Sequence, residues 1–213
     1  MKTFSIGGVH PADNKISCDA AIENFPIPET AYISMSQHLG APAEPIVAVG
    51  DKVKVGQLIA NASGFISAPV HSSVSGTVKA IETIKDLAGN PCKAVVITVE
   101  GDEWVDTIDR SDAIVKEIKL DSKEIIAKIQ ECGVVGLGGA TFPTNVKLSP
   151  PPGKKAEFLI INAAECEPYL TSDYRVLPPS GRIFLSMCSK NWSDLTFVIA
   201  SSTYKQGQLS GRD

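Results

Sequence analysis

Residues 49–82 read VGDKVKVGQLIANASGFISAPVHSSVSGTVKAIE, a series of short apolar runs separated by turn-forming residues. Glycines at positions 50, 56, 64 and 76 mark the turns, and the pattern continues through KAVVITVE, residues 93–100. Runs of about 4–8 residues that are rich in valine and isoleucine and bounded by Gly, Asn, Ser or Pro are typical of strands. Their close spacing predicts a small β barrel or sandwich over residues 41–100 rather than a parallel sheet.

The same stretch resembles the half-motifs of biotinyl and lipoyl carrier domains. In those domains the modified lysine sits at the tip of a hairpin, where its amine reaches solvent and a ligase. The matching position here falls in ANASGFI, residues 60–66, and no lysine occurs between Lys54 and Lys79. We therefore expect a barrel-sandwich hybrid fold that carries neither biotin nor lipoate.

Composition and charge narrow the classes of function. The chain has 213 residues, of which 43% are hydrophobic and 21% charged, as in ordinary globular proteins. Its formal charge is −4 and it has no basic stripe, so we expect no nucleic-acid partner. No apolar run approaches the ~20 residues that span a bilayer. The first fifteen residues lack the apolar core of a signal peptide, which makes the cytoplasm the expected location.

The cysteines and histidines show no pattern of metal ligands. No C-x-x-C pair is present, so the usual spacing of zinc and iron–sulfur ligands is missing. We expect thiols in a reducing compartment, no metal site and no iron–sulfur cluster in this chain. The residues concerned are Cys18, Cys92, Cys132, Cys166, Cys188, His10, His38 and His71.

The segments that flank the β-rich region define the predicted domains. Residues 1–40 contain three prolines and read as an extended lead-in, and residues 101–120 read as a charged linker. A helix is predicted in DSKEIIAKIQECG, residues 121–133, with Asp121 or Ser122 as its N-cap and Glu124 placed for a capping box. Gly133 stands where a left-handed C-cap residue would stand. An α/β domain is predicted over residues 121–177.

A glycine-rich loop follows that helix directly. Residues 133–149 read GVVGLGGATFPTNVKLS, which is neither a Walker A loop nor a full G-x-G-x-x-G motif. Glycines allow backbone N–H groups to approach a ligand, Pro143 fits the first turn of a new helix, and Lys147 adds a positive charge. From spacing alone, a phosphate-binding loop and a tight turn without a ligand remain equal alternatives.

The apolar run FLIIN, residues 158–162, is typical of a strand buried on both faces of a parallel sheet. Asn162, Glu165 and Glu167 lie at or just beyond its carboxyl end. Polar groups in that position are well placed for ligand contact in an α/β fold.

Two longer motifs together resemble a known family. GLGGATFPTNVKL, residues 136–148, and INAAECEPYLTSDYR, residues 161–175, are similar to the FMN- and NADH-binding domain of the NADH-oxidising subunit of respiratory complex I. With GGVHP near the start, QHLGAPA and APVHSSVSGTVKAIE, the chain resembles the RnfC family of Rnf complexes over about residues 4–177. Those membrane complexes move electrons between ferredoxin and NAD and couple this to ion transport.

The resemblance implies an N-terminal barrel-sandwich hybrid domain followed by an incomplete α/β flavin/NADH-binding domain. It implies FMN and NADH as cofactors, other subunits of the membrane electron transport complex as partners, and a place at the cytoplasmic side of the membrane. The resemblance implies that Gly136, Gly138, Gly139 and Ala140 form the loop that cradles the flavin, with Phe142 near its ring system. It implies that Lys147 contacts the phosphate. It also implies that Asn162, Glu165 and Glu167 line the flavin and the nicotinamide.

The family likeness ends near Leu177, where the chain becomes rich in serine and poor in acidic residues. We expect residues 178–213 to be an atypical tail from a shifted reading frame or a truncated gene. On that expectation, the sheet is incomplete and the chain alone does not oxidise NADH. The alternative function is a non-catalytic module that docks to membrane partners.

Overall fold

The computed structural model describes residues 11–86, 88–111, 118–137, 139–154, 158–162, 165–173 and 196–200. They form two compact units. Residues 24–111 and 119–154 belong to the first, here called the barrel unit. Residues 11–23, residue 118 and those from 158 onward belong to the second unit.

The barrel unit contains two antiparallel sheets, with strand orders β1-β7-β6-β3 and β2-β4-β5. The strands are β1 Thr30–Ser34, β2 Glu44–Pro45, β3 Lys52–Val53, β4 Leu58–Asn61, β5 Val70–His71, β6 Gly76–Lys85 and β7 Pro91–Val99. This confirms a β-rich fold in residues 41–100. β1 adds a strand from the predicted lead-in, because it pairs with residues 94–98 of β7.

The core of the barrel unit combines side chains from both sheets. Met35, Ile59, Val95 and Ile97 have no exposed surface. Four consecutive residues of β7, at positions 94–97, are buried, so both faces of this strand are covered. Burying each large aliphatic side chain contributes about 1.5–3 kcal/mol, which makes this core the main stabilising feature of the unit.

The predicted linker packs on the barrel over its described part. Trp104 forms a parallel bridge with Val55, and the Arg110 guanidinium lies 4.5 Å from the centre of the Trp104 ring. A Cβ on Gly56 would collide with Ile108, which shows how closely this segment approaches. Residues 112–117 lie outside the described part of the chain, and the domain boundaries stay a prediction.

The predicted helix forms as α1, Ser122–Glu131. Asp121 is its N-cap and completes the capping box with Glu124, which resolves the choice between Asp121 and Ser122. At the other end, Gly133 has φ +66°, and the N–H groups of residues 133 and 134 donate to the carbonyls of residues 130 and 129. This is the Schellman arrangement, and it confirms the C-cap prediction.

A short helix α2, Thr144–Lys147, follows residues 133–143, which are called the glycine loop from here on. In the second unit, β8 Phe158–Asn162 pairs in parallel with β9 Thr196–Ala200, as expected for a strand of a parallel sheet. β9 lies in the predicted tail. The rest of that tail, His10 and Cys188 are outside the described residues, and the origin of the tail stays a hypothesis. No helix in the described part of the chain is long and apolar enough to cross a membrane.

Candidate functional site

The glycine loop is a closed hairpin between α1 and α2. The Gly136 N–H donates to the Phe142 carbonyl at 3.0 Å, and the Thr144 N–H donates to the Val134 carbonyl at 3.0 Å. Between these two bonds, residues 135 and 143 form an antiparallel bridge. The hairpin therefore holds residues 137 and 139–141 at its tip; Gly138 is outside the described residues.

Lys147 lies directly against the base of this hairpin. A Cβ built on Gly136 would stand 2.6 Å from the Lys147 Nζ. The Lys147 side chain is exposed, and its ammonium makes no ion pair with any of the described residues. Glycine at position 136 thus leaves room for a positive charge at the loop.

Within the described part of the chain, neither backbone strain nor a close contact requires glycine at position 139. Its φ lies outside the left-handed region, and a Cβ built on it would meet nothing within 4 Å. Gly139 and the neighbouring Ala140 are both exposed, and Leu137 is 92% exposed. No contact among the described residues therefore requires glycine at position 139.

The other predicted site residues belong to the second unit. Asn162 ends β8, and the Glu165 carboxylate accepts a hydrogen bond from the Ser172 hydroxyl at 3.3 Å. Glu167 is exposed, and its backbone carbonyl accepts a hydrogen bond from the Lys15 Nζ at 3.1 Å. The structure thus brings Gly136, Phe142 and Lys147 together in one unit and describes Asn162, Glu165 and Glu167 in the other.

Residues near the N-terminus brace the segment that carries these two glutamates. The Lys15 Nζ also donates to the Leu170 carbonyl at 2.8 Å, and the Ser17 and Thr171 hydroxyls are 2.9 Å apart. The Tyr169 N–H donates to the Asp13 carbonyl at 2.9 Å. The sequence alone does not reveal this role, since the contacts join residues more than 150 positions apart and no local motif marks them.

Two family models match the chain. Residues 2–102 match the RnfC Barrel sandwich hybrid domain. Residues 129–183, which include the glycine loop, match the Nuo51 FMN-binding domain.

Curated relatives match this chain over most of its length. The C subunit of the proton-translocating ferredoxin:NAD(+) oxidoreductase complex of Clostridium ljungdahlii is 49% identical over 177 residues, which cover 82% of this chain and 38% of that protein. The Na(+)-translocating counterpart of Acetobacterium woodii is 44% identical over 80% of this chain and 38% of its own length. In Rhodobacter capsulatus, the C subunit of the ion-translocating oxidoreductase complex is 40% identical over 83% of this chain and 34% of its own length.

The chain belongs to the RnfC family. It spans about a third to two-fifths of the length of these RnfC relatives. The first domain is the barrel-sandwich hybrid of that family, which agrees with its two sheets and their shared core.

The described residues of the RnfC glycine loop fit the phosphate end of FMN. The hairpin offers a glycine at position 139 with open space around it among the described residues, and the Lys147 ammonium lies at its base. Lysine binds phosphate as a compact point charge. The α2 helix has only four residues, so the loop and Lys147, rather than a helix dipole, would hold the anion.

Proposed function

We propose that this chain binds FMN at its glycine loop and belongs to a peripheral subunit of a membrane-bound complex, which in the full-length family transfers electrons between NADH and ferredoxin through FMN. The observation that carries the proposal is the position of the Lys147 ammonium beside Gly136, in the segment that matches an FMN-binding domain. The names of the relatives support the assignment to such a complex.

In this proposal the protein binds and orients FMN and NADH. The FMN supplies the redox chemistry, which is the acceptance of hydride from NADH. Gly136, Gly138, Gly139 and Ala140 cradle the flavin, with Phe142 near its ring system. Lys147 contacts the phosphate.

The proposal also assigns roles to three residues at or after the end of β8. Asn162, Glu165 and Glu167 line the flavin and the nicotinamide. These three residues belong to the incomplete α/β flavin/NADH-binding domain in this proposal. We infer that the chain works at the cytoplasmic side of the membrane, as a peripheral component docked to membrane partners.

Titration with FMN, followed by quenching of flavin fluorescence, tests the proposal. We expect Lys147→Ala to weaken FMN binding by about 1–3 kcal/mol, because a charge-assisted contact to phosphate is lost. Lys154→Ala is the matched control, since Lys154 is an exposed lysine of the same unit that has no ion pair within the described residues. It should leave the affinity unchanged.

The possible outcomes test the role of Lys147 and the binding of FMN separately. Equal FMN affinity in the wild type and both variants would show that Lys147 has no role in binding. A wild-type chain that quenches no flavin fluorescence would contradict the FMN proposal and favour the non-catalytic docking module.

A further inference from the structure

Gly133 is the point at which the glycine loop meets the barrel. A Cβ there would stand 2.5 Å from the Pro69 carbonyl oxygen and 3.6 Å from the His71 Nδ1. The backbone φ of +66° adds a second reason for glycine, because side chains are strained in that conformation. The start of the loop is therefore pressed onto the backbone that leads into β5.

The far side of the loop contacts the barrel as well. The Leu39 N–H donates to the Thr141 carbonyl at 3.3 Å. The turn at Leu39 is itself fixed to the barrel, since the Ala41 N–H donates to the Ile66 carbonyl at 3.0 Å. Residues 37–41 and 66–71, here called the barrel edge, thus hold the loop on both sides.

A cleft of about 210 Å³ opens where the barrel edge meets the loop. Gln37, His71, Cys132 and Val135 are among its lining residues. Burial lowers the pKa of His71 below its ordinary value of 6.5, and the Glu131 carboxylate opposes this only in part. His71 is therefore mostly uncharged at neutral pH and can exchange hydrogen bonds with an uncharged polar group.

We propose that the barrel edge is one wall of the ligand site. It positions the glycine loop through Gly133 and Thr141. Its cleft receives an uncharged polar part of the ligand, and Lys147 binds the phosphate of the same ligand. This rests on the proposed function. The cleft is smaller than the ~300–1,000 Å³ of a typical small-molecule site, so it accommodates a part of a ligand rather than a whole one. The barrel then acts as a structural part of the site and not as a separate carrier domain.

Gly133→Ala tests the positioning role, with Gly153→Ala as the matched control. Gly153 has φ +77°, so alanine is similarly strained there, but its Cβ would meet nothing within 4 Å. In the protein without FMN, we expect hydrogen exchange at the amides of Gly136 and Thr144 to become about tenfold faster in Gly133→Ala. The reason is that the loop loses its close contact with the barrel at Gly133. Amides of β6 and β7 should keep their protection in both variants, which shows that the barrel remains folded.

Affinity for FMN supplies the second readout. Gly133→Ala should bind FMN about tenfold more weakly, which is about 1.4 kcal/mol, while Gly153→Ala binds like the wild type. Equal exchange and equal affinity in the two variants would overturn the positioning role. If even the wild type binds no FMN, the proposed function fails, but the exchange comparison still decides whether the barrel edge positions the loop.

Cys132 reports on the cleft itself. Added FMN should slow the alkylation of Cys132 by iodoacetamide, since this exposed thiol lines the cleft, and leave the rate at Cys92 of β7 unchanged. An unchanged rate at Cys132 would overturn the part of the proposal in which the ligand enters the cleft.

Discussion

The two-sheet barrel and the helix–loop segment that follows it belong to one compact unit but are stabilised in different ways. The barrel has a core of fully buried aliphatic side chains drawn from both sheets. α1 has no buried residue, and the isoleucines that share its apolar face are only half-buried. The barrel therefore provides the stability, and the helix and loop depend on caps, backbone hydrogen bonds and the contact of Gly133 with the barrel.

The largest expected effect is in the barrel core. We expect Ile97→Ala to lower the free energy of unfolding by about 2–5 kcal/mol, because it leaves a cavity among fully buried side chains. Ile46→Ala is the control: Ile46 is 51% exposed, and its truncation should lower the free energy of unfolding by less than about 1 kcal/mol. Urea denaturation followed by circular dichroism measures both values. Similar losses in the two variants would show that the core does not provide the stability of this unit.

A smaller and local effect is expected at the start of α1. The Asp121 Oδ1 accepts hydrogen bonds from the N–H groups of Lys123 and Glu124 at 2.8 and 2.9 Å. Asp121→Ala should destabilise the helix by about 0.5–2 kcal/mol, which hydrogen exchange at the α1 amides would detect. Asp106→Ala is the control, since Asp106 is exposed and makes no hydrogen bond within the described residues.

The same variant also tests the contrast between the two regions. Because α1 has no buried residue, Asp121→Ala should leave the urea midpoint of the barrel almost unchanged. A drop in that midpoint as large as the loss in the helix would mean that helix and barrel unfold as one cooperative structure.

The smallest effect is expected where the two regions meet, at His71. Burial lowers the pKa of this imidazole in the folded protein, so the unfolded chain binds the proton more readily. Stability is therefore fully present above about pH 6.5 and falls as the pH drops below that value. His71→Gln should reduce the loss of stability between pH 7.5 and pH 5.5, as measured by urea midpoints. An identical loss of stability in the variant and the wild type would contradict this prediction. The titratable residues near His71 are His38, Glu131 and Cys132.

Local patterns predicted the elements with self-contained signals. Asp121, Glu124 and Gly133 marked the two ends of α1 because capping involves groups only a few residues apart. The valine- and isoleucine-rich runs likewise predicted the barrel, although β1 was missed because proline and turn signals dominate the first 40 residues. For the candidate site, the motifs predicted the loop and Lys147 but could not predict that Gly136 leaves room for the ammonium.

The sequence by itself determined the family, the β-rich first domain, the absence of a lysine for biotin or lipoate and the ends of α1. It left the glycine loop undecided between a turn and a ligand site, because glycine spacing does not reveal which glycines are required by the fold. Only the tertiary structure distinguished Gly133, which is pressed against Pro69, from Gly139, which has open space around it. It also brought Lys15 and Ser17 to the segment with Glu165 and Glu167, since packing joins residues that chain distance keeps apart.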